Sequence, residues 1–225
     1  MIFSDQWNIL KNIYELLYKD KKFLIIKMKK KCVFIGEQGT GKTCILQRII
    51  TDEYVENPET TNSPSNTFFQ YNYNGITEKL EFWDTAGQEI YRAVNKLFYK
   101  GAHICFLVYS IDQRKSFDEL KKYWVPTIHT NIGSEVSFCV VASKTDLFDT
   151  KETITESEGK SFADEIGGSF ILTSAKLGIG IPQILEVGLD TYYQKHPDER
   201  DEQNKGTVQI NKINGNKPGC CSSNK

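Results

Sequence analysis

No apolar run in the 225 residues is long enough to span a bilayer. The charged start lacks the apolar core of a secretory leader. Charge of one sign is not in excess: the formal net charge is −1, so nothing points to a nucleic-acid partner. Zinc-ligand spacing is missing among the six cysteines. Cys32, Cys105 and Cys139 sit in apolar strand patterns and Cys44 in a helical one, which predicts buried free thiols in a reduced, cytosolic protein. There is no internal repeat. The final four residues contain no cysteine, which excludes a C-a-a-X box.

What is present begins with Gly36-Glu37-Gln38-Gly39-Thr40-Gly41-Lys42-Thr43, a G-x-x-x-x-G-K-T phosphate-binding pattern. The apolar run Cys32–Ile35 precedes it and reads as a buried strand; Cys44–Ile50 comes after it and reads as a helix. The glycines let backbone wrap closely around a polyphosphate, and the helix N-terminus adds unpaired N–H groups and a positive dipole end. Lys42 then reaches the outer phosphates and the Thr43 hydroxyl ligates Mg²⁺.

A second pattern, Trp83-Asp84-Thr85-Ala86-Gly87-Gln88-Glu89, ends the strand-like run from Lys79. An acid at a strand tip, here Asp84, holds Mg²⁺ directly or through water. Gly87 offers a backbone N–H to a terminal phosphate, and Gln88 orients a water for in-line attack.

Taken together these residues resemble the Ras superfamily of small GTPases, most closely its Rab branch. The resemblance runs from about Lys30 to about Gln194 and includes the last residues. Ser143-Lys144-Thr145-Asp146 resembles the guanine-specifying N-K-x-D. By that resemblance Asp146 accepts hydrogen bonds from guanine N1 and N2, and Lys144 lies along the base. Thr173-Ser174-Ala175-Lys176 resembles the last guanine motif, with the Ala175 N–H on the base oxygen. Thr61, eighteen residues beyond Thr43, matches the switch threonine that closes on Mg²⁺ and the terminal phosphate; adjacent Thr60 leaves a one-residue slip open. Tyr54 either rests against the guanine ring or simply ends the first helix. The implied nucleotide site is thus residues 36–44 with Tyr54, Thr61, Asp84, Gly87, Ser143, Lys144, Asp146 and residues 174–176. Its metal ligands are Thr43, Thr61 and Asp84. Its catalytic residues are Gln88, Lys42 and Thr61.

Three departures qualify this. Ser143 stands where the family has an Asn that bonds guanine and ties its loop to the phosphate loop; a hydroxyl is shorter and has one donor. Gln38 replaces a small residue beside the terminal phosphate, where it would crowd Gln88 or an activator. Asn62–Asn66 replaces the usual apolar I-G-x-x-F stretch, which alters the effector surface.

Strand and helix patterns alternate. Strands read at Phe68–Asn74, Glu78–Trp83, His103–Tyr109, Val136–Ala142 and Ser169–Leu172, beside the first at Cys32–Ile35. Helices read at Lys115–His129, Glu156–Ile166 and Pro182–Gln194. Asn74-Gly75 is a hairpin signal, so the second and third strands should be antiparallel. The expected architecture is α/β: a doubly wound, six-stranded, mostly parallel sheet with one antiparallel edge strand, the P-loop GTPase domain, spanning 28–194. Trp124-Val125-Pro126 looks Rho-like, but the segment between Asp146 and Glu156 is too short for the extra Rho helix.

Residues 195–225 are polar and read as a flexible tail. Cys220-Cys221 resembles the Rab double geranylgeranylation signal; two chains anchor firmly where one binds marginally. Residues 1–27 carry Trp7, Leu10, Ile13, Tyr14 and Leu17 near one helical face, then lysines from Lys19 to Lys31. They form either a membrane or partner helix, or a segment upstream of the true start at Met28. The resemblance implies a monomeric switch cycling between GTP and GDP with Mg²⁺, regulating vesicle traffic from the cytoplasmic face of an intracellular membrane and exchanging with cytosol. It also implies an exchange factor, a GTPase-activating protein, effectors, prenylation machinery and a GDP-dissociation inhibitor. The alternatives are a nucleotide-dependent binding module with negligible hydrolysis and a Rho-like switch.

Overall fold

A computed structural model describes residues 29–56, 61, 65–85, 98–133, 135–148 and 154–200. Six strands form one sheet: β1 (Lys30–Ile35), β2 (Ser65–Tyr73), β3 (Ile76–Asp84), β4 (Ile104–Ser110), β5 (Ser137–Ser143) and β6 (Ser169–Leu172). Their order is β2-β3-β1-β4-β5-β6. All pairings are parallel except β2 with β3, which run antiparallel from Ser65↔Asp84 to Tyr73↔Ile76. The hairpin forms where Asn74-Gly75 placed it. Both turn residues have positive φ, 50° and 79°, the conformation that matches strand twist in a two-residue turn. Asn74 therefore belongs to the turn, one residue beyond the strand proper.

The helices are α1 (Lys42–Thr51), α2 (114–132), α3 (Glu156–Glu165) and α4 (Ile181–Lys195). α2 is longer than its expected span, Lys115–His129. It runs as α-helix over Arg114–Glu119, as a π turn over Leu120–Trp124, and again as α-helix over Val125–Ile132. α3 starts with a reciprocal cap: Thr155 Oγ1 accepts from the Glu158 N–H, and Glu158 accepts from the Thr155 N–H.

Strand alternation decides how these pieces layer. Val33 and Ile35 of β1, Cys105, Leu107 and Tyr109 of β4, and Phe138, Val140 and Ala142 of β5 point to one face. There they meet Phe117, Leu120, Trp124 and Ile128 of α2 and Phe162 of α3. Cys32, Phe34, Phe106, Val108, Cys139 and Val141 point to the other face, against Ile45 and Leu46 of α1 and Ile184, Leu185 and Leu189 of α4. Each fully buried side chain of this kind contributes about 1.5–3 kcal/mol. A doubly covered sheet is therefore held from both sides, as parallel strands require. Gly188 lets α4 lie close: a Cβ there would meet the Phe106 ring at 2.8 Å.

The cysteines obey the same logic. Cys32, Cys105 and Cys139 are buried free thiols, and burial pushes Cys105 and Cys139 up to about 12. Buried charge is paired at the amino end of β1. Lys30 Nζ lies 3.7 Å from Glu78 Oε2 and over the rings of Tyr192 and Tyr193, while the Tyr193 hydroxyl donates to Glu78 Oε1 at 2.8 Å. No helix among the described residues is long and apolar enough to cross a membrane. After β1 the chain builds β2 and β3 on one side of it and β4, β5 and β6 on the other, so the direction of winding reverses at β1. The crevice beyond its carboxyl end is the place such sheets reserve for a ligand.

Candidate nucleotide site

Residues 36–41 leave the end of β1 and turn into α1. Gly36 has φ +154°, and a Cβ there would stand 2.0 Å from the Val108 carbonyl oxygen on β4, so only glycine passes. Gly41 takes a left-handed conformation, φ 88°, at the start of α1, where no side chain caps the helix. Gln38 and Gly39 are exposed at the crest of the loop.

Lys42 is buried and folds back over the loop. Its Nζ donates to the Gly36 carbonyl at 2.9 Å and to the Glu37 carbonyl at 2.8 Å. Burial lowers its pKa to about 8, against the opposing pull of the Asp84 and Glu37 charges. Thr40 is fully buried, and its hydroxyl donates to the same Glu37 carbonyl at 2.9 Å. The Glu37 carboxylate accepts the Trp124 indole N–H at 3.1 Å.

Thr43, Thr61 and Asp84 come from α1, the segment before β2 and the end of β3, yet their oxygens converge. Thr43 Oγ1 donates to Asp84 Oδ2 at 2.7 Å. Thr61 Oγ1 lies 2.8 Å from Thr43 Oγ1 and 3.4 Å from Asp84 Oδ2. Asp84 is 3% exposed, and its Oδ1 has no hydrogen-bond partner among the described residues. Burial raises its carboxyl pKa. Two hydroxyls and an orphaned, buried carboxylate oxygen are an all-oxygen donor set of the kind a hard divalent cation takes, so the residues fit Mg²⁺. Thr60, the alternative to Thr61, lies outside the described residues, as do Gly87 and Gln88.

A second cluster forms at the ends of β5 and β6. Thr145 N donates to the Thr173 carbonyl at 3.1 Å, joining the two loops. Ser174 is buried, and its hydroxyl donates to Asp146 Oδ1 at 2.6 Å, which fixes the direction of that carboxylate. Lys144 is held in a left-handed conformation, φ 59°, with Nζ 4.0 Å from Asp112 Oδ1. Ala175 is half-buried and Lys176 exposed. Tyr54 is half-buried just past α1. Its phenol pKa is raised, chiefly by burial and then by the charges of Cys44, Glu56 and Asp146. Cys44 is half-buried in the first turn of α1. Ser143 is 2% exposed, and its hydroxyl reaches the Thr40 carbonyl at 2.6 Å and the Tyr109 carbonyl at 2.8 Å. It sits beneath the two loops as a bridge between them.

Three participants have roles that no motif conveys. Ser174 belongs to a motif, but nothing in the motif marks it as the partner of Asp146. Asp112 carries no sequence signal. Trp124 stands out in the sequence only for its Rho-like neighbours, although its indole reaches the phosphate loop from 87 residues away.

The fold and this crevice together define a phosphate-loop nucleotide-binding protein of the doubly wound α/β class. Comparison with known proteins narrows that class. The Ras family model matches residues 31–194. The chain is 32% identical to the Ras-related protein RABD1 of Arabidopsis thaliana over 197 residues, covering 85% of this chain and 95% of that one. It is 34% identical to the GTP-binding protein YPTM2 of Zea mays over 196 residues, covering 86% and 96%. The chain belongs to the Ras family and is a Rab-like small GTPase, a GTP hydrolase. Family membership also makes GTP and GDP its ligands, and regulators and effectors its kinds of partner.

Proposed function

We propose that the protein is a Rab-type molecular switch that holds GTP or GDP with Mg²⁺, hydrolyses GTP, and regulates vesicle traffic from the cytoplasmic face of an intracellular membrane. The observation that carries this reading is the convergence of Thr43, Thr61 and Asp84 beside buried Lys42. Thr43, Thr61 and Asp84 are the metal ligands. When bound, Mg²⁺ neutralises charge on the phosphate oxygens. Lys42 holds the outer phosphates, and the N–H groups from Gly36 to Cys44 line the polyphosphate. Thr61 closes on Mg²⁺ and the terminal phosphate in the triphosphate state, a reading supported by its hydroxyl lying beside Thr43 and Asp84. Gln88 orients the attacking water and Gly87 offers its N–H to the terminal phosphate.

At the other end Asp146, aimed by Ser174, takes the guanine N1 and N2 donors. Lys144 lies along the base, Ala175 and Lys176 close over it, and Tyr54 stands against the ring. Ser143 ties the base loop to the phosphate loop. A lipid pair on Cys220 and Cys221 anchors the chain, and a GDP-dissociation inhibitor extracts it. An exchange factor and a GTPase-activating protein set the balance of the two states.

The test is nucleotide competition. GTP and GDP should displace a fluorescent GDP analogue, and ATP should fail by about 10⁴-fold, because Asp146 would face a base without its donors. Asp146→Asn should turn the preference towards xanthine nucleotides. Equal competition by ATP overturns the proposal.

A further inference from the structure

Trp124 is fully buried on the π turn of α2, and its indole N–H points at the phosphate loop, 3.1 Å from Glu37 Oε1. Glu37 is the residue whose main-chain carbonyl accepts both Lys42 Nζ, at 2.8 Å, and the Thr40 hydroxyl, at 2.9 Å. One residue therefore carries two of the three bonds that shape the loop around its lysine, the third running from Lys42 Nζ to the Gly36 carbonyl, and Trp124 fixes that residue by the side chain. The ring is itself held, edge-on to Tyr99 with centroids 6.4 Å apart and to Tyr123 at 5.0 Å. A π turn inserts one residue into a helix and re-aims the turns beyond it, and such turns gather at functional positions. Here the turn ends on Trp124, with Pro126 at the start of the next helical segment.

We propose that Trp124 is a positioning residue for the nucleotide: through its N–H on Glu37 it holds the phosphate loop in the shape that retains guanine nucleotide, so α2 controls nucleotide release. This rests on the reading of residues 36–43 as the phosphate site. Trp124 touches no phosphate. It acts by keeping the Glu37 carbonyl where Lys42 and Thr40 both find it. Any event that shifts α2 by a fraction of an ångström would then loosen nucleotide without contacting it.

The experiment is the dissociation rate of a fluorescent GDP analogue from the full chain with Mg²⁺, beside thermal melting. Trp124→Phe keeps the ring contacts and deletes the N–H. It should release nucleotide about tenfold faster, the scale of a lost hydrogen bond to a charged group. Glu37→Ala removes the acceptor of the indole N–H and should accelerate release to a similar extent. The double variant Trp124→Phe/Glu37→Ala should release no faster than either single change, because both remove one interaction. A merely structural Trp124 would lower the melting temperature while release stayed within about twofold of the wild type. That result, or full additivity in the double variant, overturns the inference. If Trp124→Phe does not fold, Glu37→Ala in the otherwise intact chain replaces it and should also accelerate release; unchanged release overturns the inference. A wild-type protein that holds no guanine nucleotide at all would instead overturn the functional reading beneath it.

Discussion

The Ser143 hydroxyl stands 2.6 Å from the Thr40 carbonyl and 2.8 Å from the Tyr109 carbonyl, both buried with it. One hydroxyl has one proton, so it serves one carbonyl at a time. The bridge between base loop and phosphate loop therefore survives the change from the longer amide usual in the family. Ser143→Ala would strand a buried acceptor at a cost of about 1–2 kcal/mol. GDP release should become roughly three- to tenfold faster, measured by stopped flow, with guanine preference over adenine unchanged. Loss of that preference would mean that Ser143 reads the base itself.

Lys42 predicts a proton-linked step. Burial holds its pKa at about 8, and phosphate oxygens beside it would raise that value. The sign comes from linkage: the affinity contributed by charged Lys42 is complete below pH about 8 and fades as pH rises through the higher, bound-state value. Calorimetry of GDP binding at pH 8 in buffers of different ionisation enthalpy should show net proton uptake of a fraction of one proton. Net release would contradict the assignment of Lys42 to the phosphates.

Gln38 is exposed on the crest of the loop. Intrinsic turnover should be slow and should fall further in Gln88→Leu. An external activator should accelerate it by about 10³–10⁵, because the described Arg48 pairs with Asp52 and the described Arg114 with Asp118 and Glu158. Gln38→Gly should leave activated turnover equal or faster in a phosphate-release assay. Severe slowing would show that Gln38 assists the reaction.

Membrane attachment separates the two cysteines near the end from the first twenty-seven residues. Each buried methylene is worth about 0.8 kcal/mol, so losing one lipid chain turns firm attachment into reversible attachment. Cys220→Ser/Cys221→Ser should move the protein to the cytosolic fraction with nucleotide binding intact. A chain begun at Met28 should stay on membranes. The reverse pattern would make residues 1–27 the anchor.

Sequence alone determined much of this protein, because its chemistry is local. A run of eight residues between a strand and a helix names a phosphate loop, since the glycines that permit it are neighbours in the chain. Asn74-Gly75 determined the antiparallel edge for the same reason: a two-residue turn with both φ values positive is decided by those two residues. The near-continuous apolar runs of β1, β4 and β5 determined that both faces of the sheet would be covered. The π turn was not legible, because an inserted residue leaves an apolar helical pattern that reads much like an uninterrupted one. Tertiary structure decided the pairings of distant residues: Thr43 with Asp84, Ser174 with Asp146, Ser143 with Thr40, Trp124 with Glu37. Each spans 28 to 103 positions of chain. A hydrogen bond needs its atoms within about 3 Å, and only the packed sheet and its helices bring such residues that close.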